Sequence, residues 1–506
     1  YAGRNVLSPA FMNRFRVKWI EEVLSSERVA ILNKKYGYDT GLMQMLDLIH
    51  QALRGASEDR IIGREEREPY CFTFRHLLRI CDRVAEKEKE LIRVGEELSE
   101  KDINKLLAQE AYEVYGNVIR SKEDIIIFKD LFNAVFKDVE AERDNNLVRY
   151  DDYIIVSEVS LERNTAGGIY VPGQEAELVN IPTTLKYLNK IAVSVKRNER
   201  VLLVGPTAAS KTSLIRYLAY LTGNSFERIS LDSQTDTSEL VGEYVQVEGA
   251  LRRGYIWKDA LLVEALKKGY WILLDEINLA EPGILERINS LLDDDGFLVV
   301  TEHEGEVILP QEMYERLTEE QKESGRFYPI HPDFRLFAAM NPTRYAGRNR
   351  LSLAMRNKFN EIWVDGKFAT NELEEIVERV LHIPGNNRKD IAEDMVGFYE
   401  KFLSLIDNDG MTGGGAEGYL FSIRDLKRWA VFINKYSSKI GITKAIEEGL
   451  IYVYRERLEN DYDKEKFGRI ISEMSFNVLK QQIYSTQLQD KSIPINVIDD
   501  TVEIGY

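Results

Sequence analysis

Three short groups of residues in this chain have types and spacings suited to phosphate chemistry. The first is Gly205-Pro206-Thr207-Ala208-Ala209-Ser210-Lys211-Thr212, continuing into Ser213. Backbone N–H groups of such a loop, with the start of a following helix, can meet phosphate oxygens; Lys211 would neutralise the β and γ phosphates and Thr212 would ligate magnesium. The pattern GxxxxGK[ST] has glycine where this chain has Ser210, a position at which a Cβ resists the backbone angles required. The second group is Asp275-Glu276, which ends the apolar run Trp271–Leu274. At the carboxyl end of a buried strand, Asp275 can hold the magnesium shell and Glu276 can orient or deprotonate an attacking water. The third is Asn341, closing the strand FRLFAAMN, where an amide can position that water. ATP or ADP with Mg2+ is the ligand these residues imply.

The elements that must deliver them are legible on either side. The apolar strand Val201–Val204 enters the loop, and a helix with Leu214, Ile215, Leu218 and Leu221 on one face leaves it. A helix through Leu185, Leu188 and Ile191 and the strands ERISLD and YWILLDE continue the alternation, which predicts an α/β fold on a parallel sheet. QEMYERLTEEQKESGR, within residues 310–330, reads as an exposed insertion. GALRRGYIWKDALL, with Arg252 and Arg253, admits a nucleic-acid or substrate loop or a solvated turn before a helix. Upstream, residues 22–148 read as helices, with apolar spacing at Met43, Leu46, Ile49 and Leu53 and at Leu77, Ile80 and Val84. The Glu- and Lys-rich stretch from Glu86 to Asp102 reads as a solvated helix face that needs no partner. YDDYIIVSEVSLE near Tyr150 reads as strand, then a turn at Gly167–Gly168. The text is helical again from Asn371, a loop with five glycines between Asp407 and Gly418 is expected to be mobile, and PINVIDDTVEIGY reads as strand.

Residues 1–21 recur as residues 345–365 with eleven identities, and FTFRHLLRI from Phe72 is echoed by FSIRDLKRW from Phe421; Tyr115 and Phe128 are echoed by Tyr454 and Phe467. A period near 340 residues is too long for a solenoid repeat, so the unit is a whole folding module and the chain is expected to begin in mid-module. At 506 residues and 44% hydrophobic there is room for roughly three to four domains. The net charge of −17 argues against nucleic acid as the main ligand and favours a basic protein partner. Cys71 and Cys81 are spaced for neither zinc nor a disulfide framework and read as core thiols. No apolar run approaches the roughly 18 residues that span a bilayer, so no membrane association is expected.

Phosphate loop, acidic pair and strand-end Asn in this order resemble the AAA+ ATPases. DSQTDTSELVGEY, WILLDEINLAEPGILERINSLLDD, HPDFRLFAAMNP and the duplicated YAGRNxLSxAxxNxF narrow the resemblance to the midasin family of tandem AAA+ modules. The resemblance implies that 1–21 finish one large subdomain, 22–148 form its helical lid, 149–366 form a complete α/β large subdomain, 367–486 form a second lid and 487–506 open a further module. It assigns Walker A to Lys211 and Thr212, Walker B to Asp275 and Glu276, and sensor 1 to Asn341. An arginine finger is implied at Arg14, before Phe15. The second copy has Lys358-Phe359, with Arg356 as the substitute, and Arg75 and Arg424 resemble sensor 2 arginines. Neighbouring modules of one chain would form a pseudo-hexameric ring. The implied work is ATP-driven remodelling of precursors of the large ribosomal subunit, in the nucleus. A dynein-like motor ring in the cytoplasm, a nucleotide-binding structural module without turnover, and a bacterial homohexamer of single modules are the alternatives.

Overall fold

The computed structural model describes residues 16, 22–66, 69–95, 98–136, 145–248, 253–293, 295–342, 351–383, 387–407, 411–414, 418–473, 495–498 and 501–504. Residues 1–15, 17–21 and 343–350, which include most of the first copy of the repeat, the start of the second and Arg14, lie outside the described residues. The chain divides into two compact units, Tyr1–Lys367 and Phe368–Tyr506.

Among the described residues the first unit begins with five helices: α1 (Ser25–Tyr36), α2 (Thr40–Glu58), α3 (Phe74–Val94), α4 (Glu100–Gly116) and α5 (Lys122–Val135). Their starts are set by short polar side chains that satisfy the otherwise orphaned first N–H groups. Asp39 accepts from the amides of Gly41 and Leu42, Ser99 from Asp102 and Ser121 from Asp124. The three- and four-residue apolar spacing buries Leu46, Ile49, Leu53, Leu77, Ile80 and Val84 completely, with the Cys81 thiol among them. Burial pushes that thiol up to about 12, as befits a core group and not a reactive one.

The segment expected as one strand near Tyr150 is an antiparallel meander, β1 (Leu147–Arg149), β2 (Tyr153–Val156) and β3 (Val159–Glu162). Its two turns, at residues 150–152 and 157–158, carry no Gly or Pro to announce them. After α6 (Pro182–Lys196) come β4 (Val201–Val204), α7 (Lys211–Thr222) and β5 (Phe226–Ser230). A short α8 (Thr237–Val241) leads into a hairpin of β6 (Gly242–Glu248) and β7 (Arg253–Asp259), followed by α9 (Leu261–Lys268) and β8 (Trp271–Asp275). Over Arg253–Asp259, GALRRGYIWKDALL is therefore strand and not a turn; it runs along the second arm of that hairpin, with Tyr255 and Ile256 exposed. Arg252 lies outside the described residues.

Next are α10 (Pro282–Asn289), β9 (Leu298–Val300) and β10 (Glu306–Leu309). The charged segment after β10 is exposed, as expected, yet ordered into α11 (Gln311–Glu315) and α12 (Glu319–Glu323) before β11 (Phe327–Pro329), which joins β9 and β10 in a small sheet. The unit closes with β12 (Arg335–Met340), α13 (Leu353–Arg356) and β13 (Asn360–Trp363). The central sheet is wholly parallel in the order β13-β4-β12-β8-β5. Alternate residues of its buried strands serve two cores: Leu202, Val204, Ile272 and Leu274 face one layer, Val201, Leu203, Trp271 and Leu273 the other.

The five-helix bundle is bolted to this α/β layer. Arg83 of α3, 2% exposed, pairs with Glu110 of α4 and with Glu199 beyond α6. Glu86 meets Arg197 and Glu90 meets Lys196, so the stretch expected as a solvated face is in part an interface; sequence periodicity cannot tell water from an oppositely charged neighbour. On β13, Arg79 donates to the Phe359 carbonyl, Asn117 accepts from the Trp363 amide, and Arg120 lies beside Glu361.

The second unit holds α14 (Thr370–Val380), α15 (Arg388–Asp407), α16 (Ile423–Ile440), α17 (Ile442–Val453) and α18 (Asp461–Glu473), with a terminal hairpin of β14 (Ile495–Ile498) and β15 (Thr501–Ile504). Its core is aromatic: Phe398 and Phe402 each lie within 5.7 Å of Tyr454 and Phe467. The echoed positions match in role, since Phe72 packs on Tyr115 at 5.7 Å in one bundle and Phe421 on Tyr454 at 5.3 Å in the other. Part of the glycine-rich loop, expected to be mobile, is tied down: the fully buried Asp463 carboxylate accepts from the amides of Thr412 and Gly413 and from the Tyr419 hydroxyl.

Candidate nucleotide site

The sheet order brings the three groups together at the carboxyl ends of β4, β8 and β12. Gly205 leaves β4 so close to the edge of β13 that a Cβ would strike the Val364 carbonyl, which explains glycine at this position. The loop then turns through two left-handed residues, Ala208 at φ 66° and Ser210 at φ 61°. Ser210 thus adopts the conformation expected of glycine and carries its steric cost, about 1–2 kcal/mol. That turn aims the first amides of α7 into the loop, and no side chain caps them. Pro206, Thr207, Ala208, Ala209 and Ser213 complete the surround, Ala209 buried against the core and Thr207 and Ser213 exposed.

Lys211, 8% exposed, folds its ammonium back across the loop to the carbonyls of Gly205 and Pro206, both at 2.8 Å, and to Asn341 Oδ1 at 2.7 Å. The other end of the Asn341 amide donates to Glu276 Oε1 at 2.6 Å. One buried amide therefore links the lysine of the loop to the second acid of β8. Asn278 fixes it from behind, donating to the Asn341 carbonyl at 3.1 Å. Glu276 is itself left-handed at φ 56°, the strained kind of backbone that clusters at functional sites. The first acid, Asp275, is 6% exposed; its Oδ2 accepts from the Thr212 hydroxyl at 2.9 Å and is ion-paired with Arg228 Nε at 2.8 Å.

These residues fit a nucleotide with magnesium. A compact ammonium, a run of helix N-terminal amides and a hydroxyl–carboxylate pair of hard oxygens lie side by side, the donor set that phosphates and a small divalent cation require. Thr212 and Asp275 would hold the metal, Lys211 and the loop amides the phosphates.

Arg356, Arg75 and Arg424 lie among the described residues. Arg356 is 8% exposed and grips Glu361 with Nε at 3.0 Å and one terminal nitrogen at 2.5 and 2.7 Å. Burial works against ionisation of Glu361, but the charges of Arg356 and Arg120 outweigh it and hold its carboxyl below the usual range. A guanidinium engaged this way serves as a structural cation of the β13 edge, a role other than the substitute finger expected of Arg356. Lys358 is tied to Asp293 at 2.7 Å and to the Asn289 carbonyl at 2.9 Å. Arg75 and Arg424 are both exposed in the first turns of their helices, each just after a capping residue, Thr73 or Ser422; Arg424 belongs to the second unit. The sequence reasoning missed Arg228. Its signal was a lone guanidinium in ERISLD, the strand that must lie beside YWILLDE in such a sheet.

Comparison with known proteins agrees with this geometry. Residues 200–359 match the AAA domain of the dynein-related subfamily, and residues 29–138 and 372–474 each match a midasin AAA lid domain. The chain is 34% identical over 308 residues to midasin of Dictyostelium discoideum and 29% identical over 343 residues to midasin of Giardia intestinalis. Those alignments take in 60% and 65% of this chain but only 5% and 6% of the two relatives. An uncharacterized protein of Staphylococcus aureus is 26% identical over 182 residues, 35% of this chain and 61% of that one. With a parallel five-stranded sheet, the phosphate loop and a lid match on either side of it in sequence, the chain is a midasin-like AAA+ segment.

Proposed function

We propose that this segment binds and hydrolyses ATP and uses the cycle to drive remodelling of a large protein or ribonucleoprotein assembly. The observation that carries the reading is the Asn341 amide joined to Lys211 on one side and Glu276 on the other, with Thr212 and Asp275 paired beside it. In this reading Lys211 leaves the loop carbonyls for the phosphates, and Asn341 holds the Glu276 carboxylate where it can take a proton from water attacking the terminal phosphorus. The P–O bond to the leaving diphosphate breaks, giving ADP and inorganic phosphate. Magnesium, when bound, supplies charge neutralisation at the phosphate oxygens. Arg14 is the finger this segment would offer to another module's site, and Arg424 the lid arginine that would read phosphate. The finger for this site would then come from a following module of the same ring.

The midasin resemblance supports the precursor of the large ribosomal subunit as the assembly and the nucleus as the compartment. The test is nucleotide titration with and without Mg2+ on the chain and on Lys211→Ala, with turnover followed in Glu276→Gln. Loss of binding in the first variant, and retained binding without turnover in the second, are the expected results. Equal binding by Lys211→Ala would refute the site; binding without turnover in the parent even beside a following module would favour a structural nucleotide module.

A further inference from the structure

Among the described residues, Arg228 is a charged side chain brought to Asp275 that neither Walker motif nor sensor accounts for. It stands on β5, whose register sets Arg228 opposite Leu273 and Ser230 opposite Asp275. From there the side chain runs forward to the strand end, and Nε forms an ion pair with Asp275 Oδ2 at 2.8 Å. The same oxygen accepts from the Thr212 hydroxyl at 2.9 Å. Both groups that would ligate magnesium are thus engaged at one atom with a guanidinium. Asp275 is nearly buried, its side chain 9% exposed, whereas the arginine side chain is 49% exposed and can withdraw into water at little cost. A buried carboxylate without a counter-charge is costly, and a monovalent cation beside a bound divalent one is repelled.

We infer that Arg228 is a positioning residue that stands in for the metal: it neutralises Asp275 when no magnesium is held there and gives up the carboxylate when magnesium loads with nucleotide. The inference rests on the nucleotide-site reading above. It makes Arg228 a determinant of how much free Mg2+ the site needs, by competition for one oxygen. Without the guanidinium, Asp275 is a bare negative charge facing the phosphates when metal is absent and an uncontested ligand when metal is present. The two conditions therefore shift in opposite directions, which loss of a merely structural salt bridge would not produce.

The experiment measures ADP and ATP affinity of the parent, Arg228→Gln and Arg228→Lys across a series of free Mg2+ concentrations and in excess chelator, with thermal unfolding of each as the folding control. The expected result for Arg228→Gln is weaker binding in chelator and a lower Mg2+ concentration for half-maximal enhancement. Each shift should be roughly two- to fivefold, the range left to a half-exposed ion pair after solvent screening. Arg228→Lys should stay close to the parent. Superimposable curves for parent and Arg228→Gln, both folded, overturn the inference while leaving the nucleotide site standing. A higher Mg2+ requirement in Arg228→Gln overturns it too, because it would make the arginine a support of the metal complex and not its competitor. A folded parent that binds no nucleotide in either condition removes the nucleotide-site reading and the inference together.

Discussion

A serine at φ 61° in the phosphate loop makes a simple trade visible: backbone strain is kept in exchange for amides that point inward. Replacing Ser210 with glycine removes the steric cost of the left-handed angle but adds chain entropy to the unfolded state. The net expectation is a stabilisation of about 0.5–1 kcal/mol, measured by urea unfolding, together with tighter nucleotide binding. Weaker binding in the glycine variant would mean the serine hydroxyl contributes a contact of its own. Asn341 is the complementary case, because its two ends hold different catalytic partners. Asn341→Ala should leave nucleotide binding within a fewfold of the parent and lower turnover by roughly 10²-fold, the usual size for loss of one oriented polar group in a catalytic site. Single-turnover kinetics at saturating ATP separates the two effects. At this scale the sequence was informative: loop, acidic pair and strand-end Asn meet as the strand–loop–helix context implied. What it could not convey is pairing. Arg356 looked available because a short motif does not say that Glu361, five residues on, has already claimed it.

Among the elements, the junction between the first helical bundle and the α/β layer is held by buried charge. Glu110 lies between Arg83 and Lys87; burial alone would raise its carboxyl, but those two cations outweigh it and bring it down to about 2. Its folded-state pKa is depressed, so its contribution is complete above the ordinary value of 4.5 and is lost as pH falls from there towards 2. Acid unfolding of the parent should therefore fall more steeply in that window than that of Glu110→Gln. Glu361→Ala is the more severe change. It strands Arg356 in a buried site and should cost about 3–5 kcal/mol, read by chemical denaturation at neutral pH. In the second unit, Asp463→Ala removes the anchor of Thr412 and Gly413, and limited proteolysis should then cut between residues 407 and 418 well before it cuts the parent. Helix content was legible from periodicity, and so were the echoed aromatics of the two bundles. The fate of the acidic stretch from Glu86 was not, since Arg197 and Lys196, its partners, lie more than a hundred residues away in sequence.

For the whole molecule, the proposed reading implies that the active site of one module is completed by another. A missing arginine finger typically lowers phosphoryl transfer by about 10³- to 10⁵-fold while binding survives. Steady-state ATPase of this chain should accordingly be slow, and extension by a following module should raise it, with Glu276→Gln abolishing the gain. Brisk turnover in the unextended chain, lost in Glu276→Gln, would show that the site is completed within the chain or by self-association.

The seam on β13 also bears on how such a chain survives its own synthesis. β13 is the outermost strand of the parallel sheet, and its outward Trp363 amide is taken by Asn117 of the preceding helical bundle while Arg79 covers the Phe359 carbonyl. An uncovered edge strand is a template for intermolecular pairing. The covering bundle precedes the sheet in sequence, so a chain emerging from its N-terminus has the cover folded before the edge exists. A polypeptide starting at residue 147 would meet its final strand with that flank bare and should aggregate from dilute refolding, whereas one starting at residue 22 should stay monodisperse.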